Sequence, residues 1–66
     1  MYLAKARNIA PKDATHYSFV DSSWICFYYV EDDVALYMSV NGGQWFDCSD
    51  TDFSNDINDG EIIKLW

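Results

Sequence analysis

The sequence predicts an all-β domain, or a β domain with one short helical turn, arranged as a curled or barrel-like antiparallel meander of roughly four to six strands. Three observations predict it. Four runs rich in β-branched and aromatic residues fill the middle of the chain: T-H-Y-S-F-V (15–20), W-I-C-F-Y-Y-V (24–30), V-A-L-Y-M-S-V (34–40) and Q-W-F-D-C (44–48). Three residues of turn character separate each run from the next: Asp21-Ser22-Ser23, Glu31-Asp32-Asp33 and Asn41-Gly42-Gly43. Pairing the runs across these loops also gathers apolar residues on one face.

That pairing sets Val40 against Gln44, Met38 against Phe46 and Leu36 against Cys48. It further sets Val30 against Val34, Tyr28 against Leu36, Cys26 against Met38 and His16 against Tyr28. Side chains alternate faces, so one face collects Trp24, Cys26, Tyr28, Val30, Val34, Leu36, Met38, Val40, Phe46 and Cys48. A two-residue Asn41-Gly42 turn would place Leu36 opposite Asp47 instead, and a slip of one residue exchanges the faces, which favours the longer loop. The opposite face carries Tyr17, Phe19, Ile25, Phe27, Tyr29, Tyr37 and Trp45 and is nearly as apolar. Curling of the sheet under flanking segments would bury both faces; otherwise one face meets a partner.

The flanks follow in order. Y-L-A-K-A-R (2–7) reads as a strand or a short helix, too short to hold a helix alone, and Pro11 ends it. Ser49 followed by Asp52 resembles a helix capping box, predicting one or two turns over 50–56. Asn58-Asp59-Gly60 reads as a turn and E-I-I-K-L-W (61–66) as a final strand.

Sixty-six residues make a single small domain, residues 1–66. A chain this short has a thin stability margin, but half of its residues are apolar, and three Trp, five Tyr and four Phe make a small core sufficient. Eleven acids against four bases give a net charge of −7, which disfavours direct binding to nucleic acid and to anionic membrane surfaces. M-Y-L-A-K-A-R-N lacks the apolar core of a signal peptide, and no run is long enough to span a bilayer. The two cysteines are accordingly expected as free thiols in a reducing cytoplasm.

The charge is uneven. Residues 1–12 hold Lys5, Arg7 and Lys12 and no acid, whereas D-C-S-D-T-D-F-S-N-D-I-N-D-G-E (47–61) holds six acids and no base. This acidic segment has three readings. As a calcium loop, Asp50, Asp52, Ser54, Asp56, Asn58 and Glu61 occupy the EF-hand ligand positions, but Asn55 stands where glycine belongs and neither flanking helix has room to form. As a nucleic-acid mimic, its carboxylates, joined by Glu31, Asp32 and Asp33, would enter a Lys/Arg cleft that holds phosphates. As a plain solvated surface, they keep an aromatic-rich domain soluble. Catalysis is not expected: His16 is the sole histidine, there is no glycine-rich phosphate loop, and no Cys–His pair is predicted. No cofactor is expected either.

The residues Pro11, Ala14, Thr15, His16 and Tyr17, with Gly43 and Trp45 further on, form a P-x-x-A-T-H-Y … G-x-W pattern. This pattern resembles one found in small accessory proteins of tailed bacteriophages and covers about half of the chain. Asp13 stands where the commonest form has glycine. The resemblance implies a phage origin and a life in the cytoplasm of a bacterial host, without implying an activity.

These readings combine into an expectation: a non-enzymatic acidic protein that inhibits or modulates a host nucleic-acid-processing protein by filling its basic cleft. The expected contact residues are Glu31, Asp32, Asp33, Asp47, Asp50, Asp52, Asp56, Asp59 and Glu61, with Tyr29, Tyr37 and Trp45 as anchors, since Trp and Tyr dominate interface hot spots. The alternative is a small structural protein that forms a homodimer through its aromatic sheet face.

Overall fold

A computed structural model describes residues 2–21 and 24–66. The chain runs through a helix α1 (Tyr2–Ile9), strands β1 (His16–Asp21), β2 (Trp24–Glu31), β3 (Val34–Val40) and β4 (Trp45–Asp47), a short helix α2 (Ser54–Asn58) and a last strand β5 (Ile63–Lys64). The strands make one open antiparallel sheet in the order β4-β3-β2-β1-β5. β1 to β4 form the predicted meander, and β5 returns from the far end of the chain to pair with β1.

Two expected registers form as read. Met38 pairs with Phe46, with the Cys48 amide donating to the Leu36 carbonyl at 2.9 Å, and His16 pairs with Tyr28. The β2–β3 hairpin differs. Cys26 pairs with Val40 and Tyr28 with Met38, two residues from the expected partners. The cause is the turn. Asp32 and Asp33 both have positive φ, 52° and 64°, so they form a two-residue connection between Glu31 and Val34. Such mirror-image turns match the twist of the strands, and Asp tolerates the left-handed region better than most residues. A bulge then shifts the register so that Val30 pairs with Ala35, leaving Leu36 without a counterpart on β2. This turns Ala35 into the core and Val34 outward, at 1% and 46% exposure, against the expectation that Val34 faces inward. Trp24 and Phe46, expected on the same buried face, are likewise exposed.

The β1–β2 connection is also tighter than expected, whereas the β3–β4 connection keeps the expected register. Asp21 pairs with Trp24 past a bulge at Val20, and the remaining loop residues, Ser22 and Ser23, lie outside the described residues. Asn41 leaves β3 with φ 54°, but stays tied to β2: its amide donates to the Ile25 carbonyl and its Oδ1 accepts the Ile25 N–H, both at 2.8 Å. Gly42 follows with φ 79°, and a Cβ there would lie 2.9 Å from the carbonyl oxygen of Ile9 at the end of α1.

Flanking segments cover both sheet faces. Over one lies α1, rich in good helix formers and with Arg7 in its last turn, where the helix dipole favours a cation. Ala6 packs with Ala14, Tyr17, Ile25, Phe27 and Leu65, and its lack of bulk lets the helix sit close to the sheet. Eight residues do not hold a helix in water, so this apolar contact is what stabilises α1. Over the other face, the segment after β4 brings Cys48, Phe53, Ile57 and Ile62 against Cys26, Tyr28, Ala35 and Met38. Phe53 meets Tyr28 edge to face, with ring centroids 5.4 Å apart.

The capping box expected at Ser49 does not form. α2 starts later, at Ser54, with no side-chain cap on Phe53. The acids before it close local turns instead: Asp47 Oδ1 accepts the Ser49 amide and hydroxyl at 2.9 and 2.8 Å, and Asp52 Oδ1 accepts those of Ser54 at 2.9 and 2.6 Å. Gly60, with φ 81°, turns the chain out of α2, and the Asp56 carbonyl accepts the amides of Glu61 and Ile62.

Candidate functional site

The register places the three expected anchors together. Tyr29 on β2 pairs directly with Tyr37 on β3, their ring centroids 6.3 Å apart and the planes inclined by 35°. Trp45 lies across from Ser39 on β4, one alternation along the same face from Tyr37. Trp45 packs against the core that α1 covers, and with Tyr29 and Tyr37 it lines an open pocket of about 440 Å³. The fourth lining residue is Asp13, which sequence reasoning missed. It follows a basic segment and stands apart from the two acidic clusters. Its only sequence signal is position, in the turn after Pro11 that leads into β1. Among the expected acids, Asp47 is nearest in register to this corner, opposite Tyr37.

The acids divide around the sheet. All eleven are exposed. Asp33, from the β2–β3 turn, meets Asp50 and Asp52, from the segment after β4, around a second cleft of about 220 Å³ floored by Val34, Ala35 and Phe53. Asp56 sits on α2, close enough to Tyr28 for its charge to be felt there, and Asp59 and Glu61 follow on the exit from α2. Glu31 and Asp32 complete the hairpin end. Thus the acidic hairpin and the acidic segment do converge, at Asp33, Asp50 and Asp52. The aromatic pocket is on the other face of the sheet, around the same β3–β4 edge.

Charge on these groups follows from their surroundings. Backbone and hydroxyl donors from Ser49 hold the Asp47 carboxyl below its ordinary value, and those of Ser54, hydroxyl first, do the same for Asp52. Both carboxylates therefore stay ionised through the neutral range. The six EF-hand ligand positions are spread over the loop, α2 and its exit, and among the described residues no three His, Cys, Asp or Glu side chains are grouped to hold a metal ion.

His16, Cys26 and Cys48 have structural partners. His16 Nδ1 is 2.9 Å from Thr15 Oγ1, and partial burial, aided by the Lys64 charge, lowers its pKa against the opposing pull of Asp33. Both thiols are free and buried; Cys48 donates to the Ala35 carbonyl at 3.5 Å, and burial together with Asp47 pushes its pKa up. Among the described residues no helix is long and apolar enough to cross a membrane.

Comparison of the chain with protein-family models, with curated proteins and with solved structures finds no match.

Proposed function

We propose that this chain is a non-enzymatic acidic binding protein, of phage origin, that acts in the host cytoplasm by occupying the basic cleft of a nucleic-acid-processing protein. The observation that carries this reading is the convergence of Asp33 with Asp50 and Asp52 in one exposed cleft. Carboxylates drawn from two segments concentrate charge where a phosphate-binding surface would meet it, and this raises the association rate with basic partners. Exposed Tyr37 and half-buried Tyr29 and Trp45, at the same sheet edge, supply rings for anchoring.

The test is a pull-down from bacterial lysate, washed first at low and then at high salt, with the retained protein identified by mass. A basic nucleic-acid enzyme held at low salt and released at high salt supports the reading. The Asp50/Asp52/Asp56 charge-reversal variant should lose that protein while its circular dichroism stays native. Undiminished retention by the variant rejects the acidic surface as the contact.

Self-association through the aromatic sheet face is the second reading, favoured by the exposure of Tyr37, 44%, beside half-buried Tyr29 and Trp45 on the same face. Mass in solution across a concentration series separates the two. A dimer that Trp45→Ser makes monomeric would favour it over the binding protein.

A further inference from the structure

We infer that the Tyr29–Tyr37–Trp45–Asp13 pocket is an aromatic cage for a cation, and that its occupant is an arginine side chain of the partner protein. The inference rests on the proposed function for the source of that arginine, but the chemistry is drawn from the pocket alone. Three aromatic side chains from three adjacent strands line one space, and among the described residues the only ionisable group on its wall besides the two phenols is the Asp13 carboxylate. Ring faces carry negative electrostatic potential and attract a cation set over them, and a carboxylate at the rim supplies the full opposite charge. A neutral apolar group would gain from the rings and nothing from Asp13. An anion would be repelled by Asp13 and by the net charge of −7.

Among cations, arginine fits best. The planar guanidinium stacks on a ring and keeps its N–H edge free to donate in parallel to a carboxylate, which a compact ammonium does not do. The inclined Tyr29 and Tyr37 rings and the Trp45 indole leave about 440 Å³, room for a guanidinium and its apolar stem. A basic cleft that holds phosphates is a source of such side chains. Asp13 is thereby a binding residue, and the pocket adds selectivity to an acidic surface that otherwise attracts any polycation.

Nuclear magnetic resonance on the whole 66-residue chain tests this. N-acetyl-arginine amide and its neutral isostere N-acetyl-citrulline amide are titrated while the Trp45 indole N–H and the Tyr29 and Tyr37 ring signals are followed. The expected result is a saturable shift at these three residues with the arginine probe and a much weaker one with citrulline. Asp13→Asn should weaken the arginine response about two- to fivefold, the worth of a solvent-exposed ion pair, and Trp45→Leu should abolish it with the remaining spectrum unchanged. An equal response to citrulline, a response indifferent to Asp13→Asn, or shifts confined to the Asp50–Asp52 region would overturn the cage. Failure here with a persistent salt-sensitive pull-down rejects the cage alone. A responding cage with an empty pull-down rejects the inhibitor reading and leaves the arginine site standing.

Discussion

The hydroxyl of Thr15 accepts the backbone N–H of Val30 at 2.8 Å, standing in for a ladder bond that β1, which begins only at His16, does not supply. The same Oγ1 lies 3.2 Å from the Tyr28 carbonyl, and the Thr15 amide donates to that carbonyl at 2.9 Å. One side chain thus prolongs the β1–β2 pairing past the end of the strand.

Thr15→Val keeps the shape and loses the acceptor. Leaving a part-buried amide unpaired costs about 1–3 kcal/mol, so urea unfolding should show a lower midpoint with an unchanged slope. Thr15→Ser, which restores the oxygen, should recover most of the loss. Equal stability of the Val variant would show that water replaces the bond.

Arg7 and the end of the chain form a second such tie. Its Nε donates to the Leu65 carbonyl at 2.5 Å, its guanidinium sits 5.7 Å from the Trp66 ring centroid, and the Trp66 indole donates to the Ala14 carbonyl at 2.9 Å. Arg7→Ala should cost about 1–2 kcal/mol from the charge-assisted bond and the cation–π contact together. Hydrogen exchange should show faster opening of the Leu65 amide, which donates to Thr15. Arg7→Lys should recover only part, because an ammonium does not hold both partners in one plane.

Gly42→Ala should destabilise the fold by about 1–2 kcal/mol, through a left-handed residue that now carries a Cβ. The new methyl would also press on the Ile9 carbonyl, 2.9 Å away. Thermal melting reads the change, and an unaltered melting point would mean that α1 moves aside freely.

Stability should fall at both ends of the pH scale. Burial, with the nearby Cys26, Asp56 and Cys48 charges, raises the Tyr28 pKa from 10.0 to about 12, against a lowering hydrogen bond with Ser18. Between these values the unfolded chain releases the phenolic proton and the folded chain keeps it, so stability is lost as pH rises through that window. His16 is shifted below 6.5, so the unfolded chain takes up a proton first and stability declines as pH drops below 6.5. Melting temperatures across pH should show both slopes, the alkaline one reduced in Tyr28→Phe and the acid one in His16→Gln. Parallel curves for parent and variant would refute the assignment.

The sheet was legible because its signals are local: alternation of apolar residues and turn residues between runs. The hairpin error came from Asp32-Asp33, where two consecutive left-handed residues shorten the turn and a bulge at Leu36 absorbs the difference, neither of which alternation reveals. Being two residues in size, the error kept Tyr29, Tyr37 and Trp45 on a common face but set Phe27 rather than Tyr29 opposite Tyr37. α1 was ambiguous because its stability lies in Leu65, Phe27 and Tyr17, far from it in sequence. The Ser49 cap failed because Asp47 and Asp52 satisfy the nearby serines first. Asp13 joins the pocket through tertiary folding alone.

The contact between Arg7 and Leu65 spans 58 positions, and it constrains the order of events during synthesis. A growing chain can zip β2 to β3 as soon as both have emerged, since their turn is short and local contacts form fastest. It cannot seat α1 until residue 65 has been made, because Leu65 is part of the layer on which Ala6 rests. A nascent chain stalled before that point would present Phe27 and Ile25 uncovered, an adhesive surface for chaperones and for other nascent copies. The arrival of Leu65 therefore decides whether the first helix has anything to stand on.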